Sequence, residues 1–275
     1  MRMDTIKKER EKLKQFYETS NDYKKLLDAH NREYLKTYVD IVAKYTKPKS
    51  RILDLGSGNG LSSSMLSELG HRVIGTDISH FFLADSAKLQ SESLNYCVCD
   101  ALDLPFRDES FDVVCSNELI EHVTDAPKAL LEMMRVLKKG GILAVMGPNL
   151  CSPFWSVVDL INMAKGGKGR LVWAETWRQA LAWGFNNFTL SMKKRFSKKA
   201  DFIHRKPDLD KAIFGGDSDS AYYASPIDIE KFLKANGMKI IRLCEAVSTQ
   251  GRIMGRLFPR FGLYISVVAR KSNQQ

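Results

Sequence analysis

The sequence predicts an α/β fold organised on an open, mostly parallel sheet, and three observations carry that prediction. Between residues 50 and 150, short apolar runs alternate with segments of helical period, the pattern of strands connected by crossover helices. The first run, Ile52-Leu53-Asp54-Leu55, ends in Gly56-Ser57-Gly58-Asn59-Gly60, a turn that feeds a buried strand into a helix. Near residue 225 a capped helix is followed by two further strand-like runs that complete a sheet.

The helix after the glycine turn, Leu61 to Leu69, has apolar residues at helical spacing and stops at Gly70. Its first N–H groups are free, which suits a carboxylate or phosphate. His71 to Asp77 is the second strand and ends in an acid, and either Asp77 or Ser79 is placed to cap the helix that follows. Tyr96-Cys97-Val98-Cys99-Asp100-Ala101 gives a third strand and Phe111 to Asn117 a fourth, followed by Glu118-Leu119-Ile120-Glu121-His122-Val123. Leu130 to Leu137 is a helix, Lys138-Lys139-Gly140-Gly141 a turn, and Ile142 to Val145 a fifth strand. Further on, Ser225 is an N-cap, Pro226 holds the first helical position, and Asp228 stands where a capping box places its acid. Gly237 ends that helix, and Met238 to Leu243 and Leu263 to Ala269 are the final strands, with 249–261 between them.

Glycine spacing discriminates between cofactors. A dinucleotide fingerprint runs G-x-G-x-x-G, but its third glycine slot is Leu61 here and the glycines run G-x-G-x-G. Asp54, two residues before the first glycine, would repel a pyrophosphate, yet it can receive an ammonium group directly or through water. That favours a nucleoside cofactor with an amino-acid end over NAD.

With these segments in this order, the chain resembles the class I S-adenosylmethionine-dependent methyltransferases, in the small-molecule branch similar to the ubiquinone and menaquinone biosynthesis enzymes. The likeness is good over roughly residues 50–150 and weaker outside it. It implies a Rossmann-like, doubly wound, seven-stranded sheet with an antiparallel last strand, a helical lid insert, and S-adenosyl-L-methionine as cofactor. It implies that Asp77, about twenty residues past the glycine turn, takes both ribose hydroxyls, and that Asp100 meets the adenine amino group. The cofactor residues expected are then Asp54, Gly56, Ser57, Gly58, Asn59, Gly60, Asp77, Ile78, Asp100, Ala101 and Asn117. Ligands of open α/β sheets sit at the carboxyl ends of strands, which makes His122 and Glu118 the candidate catalytic bases, His122 because it titrates near neutrality. Relatives that methylate amide or exocyclic nitrogens carry two prolines and an aromatic after the fourth strand. Asn117-Glu118-Leu119-Ile120 departs from that pattern, so oxygen or carbon is the expected target atom.

Composition bounds the rest. At 275 residues the chain can bury one large core with an appended lid. The expected organisation is an N-terminal helical segment (1–47), a cofactor-binding core (48–150), an aromatic and basic lid insert (151–222) and a completion of the sheet (223–275). No run of about eighteen apolar residues occurs, and the opening is charged rather than leader-like, so a cytoplasmic setting is expected. Five cysteines without regular spacing agree with reduced thiols. Cys97 and Cys99 lack a second pair at metal-site spacing, so packing is expected and no metal site.

Charge is uneven. From Arg51 to Leu150 there are 14 acids against 8 bases, whereas from Cys151 to Gly215 there are 12 bases against 5 acids. The insert also holds all four tryptophans, Trp155, Trp173, Trp177 and Trp183, followed by Lys193-Lys194-Arg195, Lys198-Lys199 and His204-Arg205-Lys206. Trp173 and Trp177 share a face if one helix carries both. Two readings of the insert stay open: an ordinary lid with its tryptophans packed, or an interfacial element suited to peripheral membrane contact and a lipid-like acceptor. The chain is expected to methylate a small or lipid-linked acceptor. The alternatives are a non-catalytic cofactor-binding module acting through its lid on a membrane or protein partner, and an RNA methyltransferase. A basic pI of about 9.3 alone argues for nucleic acid, which no recognisable RNA-binding module supports.

Overall fold

The computed structural model describes residues 2–166, 174–212, 217–243 and 257–273. Seven strands form one sheet: β1 (Arg51–Leu55), β2 (Arg72–Asp77), β3 (Leu94–Val98), β4 (Phe111–Asn117), β5 (Leu137–Pro148), β6 (Met238–Leu243) and β7 (Tyr264–Lys271). Their order across the sheet is β3-β2-β1-β4-β5-β7-β6. The first five strands pair in parallel, and β7 runs antiparallel between β5 and β6. Strand order reverses beside β1, so the carboxyl ends of β1 and β4 flank the crevice where open α/β sheets bind ligands. β1 and β4 are buried on both faces, which explains why they read as unbroken apolar runs rather than alternating ones.

Helices cover both faces. On one, Tyr38, Val39 and Val42 of α3 (Arg32–Tyr45) and Leu66 of α4 (Leu61–Glu68) pack on Ile52, Val73, Val113 and Ala144. On the other, Ala129, Leu130 and Met133 of α6 (Ala126–Val136) and Ile229 and Leu233 of α10 (Pro226–Ala235) pack on Leu53, Val114, Leu143 and Val267. Two elements reach over the carboxyl edge. Leu13 and Tyr17 of α1 (Arg2–Thr19) join Phe82 of α5 (His80–Leu83) and Ala221 in a smaller cluster, and α2 (Asn21–Asp28) continues from it. After β5 the chain forms α7 (Phe154–Ala164) and α8 (Trp177–Phe196), which pack on each other, then the single turn α9 (Leu209–Ala212).

Several local expectations change. The third strand ends at Val98, so Cys99, Asp100 and Ala101 lie in the loop beyond it. Residues 138–141 are not a turn between helix and strand. They belong to β5 and form a bulge, because Phe111 pairs with Leu137 while Val113 pairs with Ile142. Ser225 caps α10 by accepting from the Ile227 N–H, but Asp228 does not complete a capping box. Its carboxylate instead accepts from the buried Lys194 ammonium, the Tyr222 hydroxyl and the Asp201 N–H. The reciprocal box occurs elsewhere, between Thr176 and Gln179 at the start of α8. Trp173 and most of 249–261 lie outside the described residues, so a shared face for Trp173 and Trp177 is not part of this description.

Candidate functional site: a divided cleft at the carboxyl edge of the sheet

The glycine turn leaves β1 with Gly56, Gly58 and Gly60 all at positive φ. Two of them show why the type matters. A Cβ on Gly60 would lie 2.7 Å from the Tyr96 ring, whose hydroxyl donates to the Gly60 carbonyl at 2.8 Å. A Cβ on Gly58 would meet only Leu27 at 3.7 Å, so this glycine keeps the backbone open to the cleft. The helix start is not wholly free, as the sequence had implied: Asn59 Oδ1 accepts from the Leu61 N–H at 3.2 Å.

Three acids expected at the site behave differently. Asp54 is buried beneath the turn and accepts from the hydroxyls of Tyr38 (2.6 Å), Ser62 (2.7 Å) and Ser63 (2.7 Å). Burial lifts its pKa, and those hydroxyls oppose the rise. Its oxygens are therefore engaged in bracing strand to helix, and a ligand's ammonium would reach it only by competing with them. Asp77 accepts from the N–H of Gly58 and of Ser79, each at 3.0 Å, which ties the end of β2 to the turn. Ser79, not Asp77, caps α5 through the Phe82 N–H. Burial lifts the Asp77 carboxyl to about 6, against the pull of the N–H groups of Ser79, Gly58 and Ile78. Asp100 accepts from the Leu102 N–H at 2.8 Å and pairs with the Arg10 guanidinium of α1 at 2.6 Å.

Two clefts open on either side of the turn. The first is lined by Asp77, Ile78, Cys99, Asp100 and Ala101 under Arg10 and Tyr17 of α1. The second is lined by Asp54, Ser57, Asn59 and Asn117 from the core, with Tyr34, Asp217 and Tyr264 opposite. Gly56, Gly58, Glu118 and His122 border both. Every expected site residue thus borders one cleft or the other except Gly60, which opens α4 behind the turn.

Glu118 sits at the seam with φ +52, an uncommon conformation for a residue with a side chain, and accepts from the Tyr34 hydroxyl at 2.5 Å. His122 departs from expectation. Burial alone would lower its pKa, but Asp219, with its Oδ2 3.1 Å from Nδ1, outweighs that, and Glu121 and Asp217 add to it, carrying the ring to about 10. The contact is an ion pair rather than an aligned hydrogen bond. At neutral pH the ring is an imidazolium without a lone pair, so His122 cannot be the resting general base that its ordinary pKa implied. Asp219 is itself fixed by the Tyr17 hydroxyl at 2.8 Å. Burial pushes its carboxyl up, but His122 and the hydroxyls of Tyr17 and Tyr23 pull it below the ordinary value. Glu121, wholly buried, has both carboxylate oxygens without a hydrogen-bond partner among the described residues, and burial raises it to about 8.

Sequence reasoning missed Arg10, Tyr17, Tyr34, Glu121, Asp217 and Asp219. The opening reads as a charged helical segment, and the loop carrying Asp217 and Asp219 lies about a hundred residues beyond His122 with no motif linking them. The one available signal was the aromatic set Phe16, Tyr17 and Tyr23 inside an otherwise charged opening.

The sheet order and the glycine turn after β1 are those of a Rossmann-like, doubly wound α/β fold. Residues 53–145 match the family model described as a methyltransferase domain. The chain is similar to a demethylmenaquinone methyltransferase of Renibacterium salmoninarum, 35% identical over 129 residues, covering 47% of this chain and 52% of the relative. It is also similar to the ubiquinone/menaquinone biosynthesis C-methyltransferase UbiE of Vibrio vulnificus, 38% identical over 109 residues, covering 36% of this chain and 42% of the relative. The chain thus spans about half the length of such curated relatives. Among solved structures, an S-adenosylmethionine-dependent methyltransferase from Mesorhizobium loti shares the fold with a TM-score of 0.57 at 20% identity, over 89% of this chain and 100% of that one.

Proposed function

We propose that the protein transfers a methyl group from S-adenosylmethionine to a small or lipid-linked acceptor, at oxygen or carbon. The observation that carries this reading is the pair of clefts that meet at Glu118 and His122, with Asp77 and Asp100 in one of them. When bound, the cofactor supplies a sulfonium-activated methyl, which leaves the protein to align an acceptor and exclude water. Alignment of that kind lowers a barrier by on the order of 7 to 11 kcal/mol. Asp77 takes the ribose hydroxyls, Asp100 the adenine amino group once Arg10 yields it, and Gly58 gives the closest backbone approach. Glu118, at the seam and oriented by Tyr34, replaces His122 as the group that accepts an acceptor's proton. Cationic His122 contributes positive charge beside it.

Two features support an acceptor of lipid character. Two relatives are named for menaquinone and ubiquinone biosynthesis. In addition, Trp177, Leu181, Phe185, Phe188 and Phe196 recur along α8 at helical spacing while 49% to 78% exposed. Its other stripe, Ala180, Ser191 and Lys194, is buried. Exposed Arg178, Lys193, Arg195, Lys198 and Lys199 accompany the apolar stripe, an arrangement suited to an anionic lipid surface. Lys194 and Arg205 do not belong to that patch: Lys194 is buried against Asp228, and Arg205 bonds Ser220.

Calorimetry with S-adenosylhomocysteine and with NAD tests the cofactor. S-adenosylhomocysteine should bind and NAD should not, and Asp77→Ala should lose roughly 3 kcal/mol, about two decades of affinity. Unchanged affinity in the variant would remove Asp77 from the site. Mass spectrometry of extracts incubated with methyl-labelled cofactor, with Asp77→Ala as the blank, then identifies the acceptor.

A further inference from the structure

We infer that Glu121, His122 and Asp217 form a binding site for one divalent cation of the Mn2+ or Zn2+ type, beside the second cleft. Each of the three offers a ligand atom, and these atoms lie within 4.8 Å of one another. A cation bonded at about 2.1 Å to each needs only a small inward shift of the side chains.

The observation independent of this clustering is Glu121. It lies on the segment after β4, is inaccessible to solvent, and neither of its carboxylate oxygens has a hydrogen-bond partner among the described residues. An ionised carboxylate buried without donors is costly, and such groups ordinarily pair or coordinate metals. Its backbone is fixed, since the Glu121 carbonyl accepts from the N–H of Ala221 and of Tyr222. Gly147 of β5 makes room for it: a Cβ there would come within 2.9 Å of Glu121 Oε2. The fold therefore holds this carboxyl group in place without a hydrogen-bond donor among the described residues.

The surroundings supply an orienting shell. His122 turns Nδ1 toward Asp219 at 3.1 Å and Nε2 toward Glu121 Oε1 at 3.8 Å. Asp219 is anchored by the Tyr17 hydroxyl. A carboxylate behind one ring nitrogen, itself hydrogen-bonded, is the usual outer partner of a metal-ligating histidine. Binding displaces the proton from Nε2, as metal ligation by histidine requires. Two carboxylates and an imidazole suit Mn2+ or Zn2+ better than Ca2+, which takes six to eight oxygens. His122 and Asp217 both border the second cleft, so the remaining coordination positions face that space. A bound ion there would hold an oxygen-bearing acceptor against the methyl donor.

The inference goes beyond the methyl-transfer reading and is tested without it. Calorimetry of the full chain with Mn2+ alone and with Zn2+ alone should give one ion per chain for at least one of them. Glu121→Gln, which keeps the shape of the side chain, should weaken that binding at least tenfold, and Asp217→Asn, on a loop outside the core, should do the same. Mn2+ electron paramagnetic resonance should show the immobilised ion in the wild type and its loss in both variants. Absence of saturable binding of either ion, or equal affinity in wild type and both variants, would overturn the site. S-adenosylhomocysteine affinity measured on the same variants reports the cofactor cleft separately.

Discussion

A carboxylate that accepts hydrogen bonds from neutral sugar hydroxyls does so fully only while ionised, and Asp77 is a carboxylate whose burial has lifted it to about 6. Ligand hydroxyls favour the ionised form, so S-adenosylhomocysteine affinity should be flat above about pH 7 and weaken below 6, approaching tenfold per unit. Calorimetry down to about pH 5 checks this, and a flat profile would contradict it. In the free protein the sign reverses. With a folded pKa above the ordinary 3.8, this group favours the fold at low pH, and that contribution is lost as pH rises through 3.8 to about 6. Glu118→Gln should lower turnover of a hydroxyl or acidic-carbon acceptor by roughly two to four decades with cofactor affinity kept, read by rate and calorimetry together. The positions of Asp77 and Asp100 beside the first cleft were legible, Asp77 from the end of its strand and Asp100 through the family resemblance. His122 was legible in position but not in charge, because Asp219 reaches it through a loop that no local spacing announces.

At the scale of elements, the buried Lys194–Asp228 pair joins α8 to α10. Replacing Lys194 by Met strands Asp228 in the interior and should cost about 3 to 5 kcal/mol, whereas adding Asp228→Leu should recover much of it. Urea unfolding of the single and double variants separates the two. Patterning made five parallel strands and the last helix readable, since apolar runs, glycine stops and the Ser225-Pro226 start are local signals. It could not show the β5 bulge, which depends on how β4 pairs with it, nor the fate of Asp228, whose partner lies on another helix. The glycine turn was legible as a ligand loop, yet Gly56 also faces structure: a Cβ there meets Leu119 at 3.0 Å. Gly56→Val is thus a packing lesion, and Gly58→Ala is the cleaner probe of the cleft.

For the whole molecule, the proposed contact with an anionic bilayer would draw on the formal charge of +10 and the exposed aromatic stripe of α8. The protein should float with liposomes containing anionic lipid, less so at high salt, and replacing Phe185 and Phe188 by Ser should abolish flotation without affecting S-adenosylhomocysteine binding. Flotation unchanged by salt and by these substitutions would exclude this surface. No helix among the described residues is long and apolar enough to cross a membrane. One contact ties the ends of this machine together. Arg10 holds the acid proposed to meet an incoming adenine, so under that proposal the N-terminal rod would be a latch that must open before cofactor enters. Arg10→Ala should quicken cofactor exchange in stopped-flow measurements, which would make the pace of the cycle a matter of mechanics at residue 10 rather than of chemistry at the sulfur.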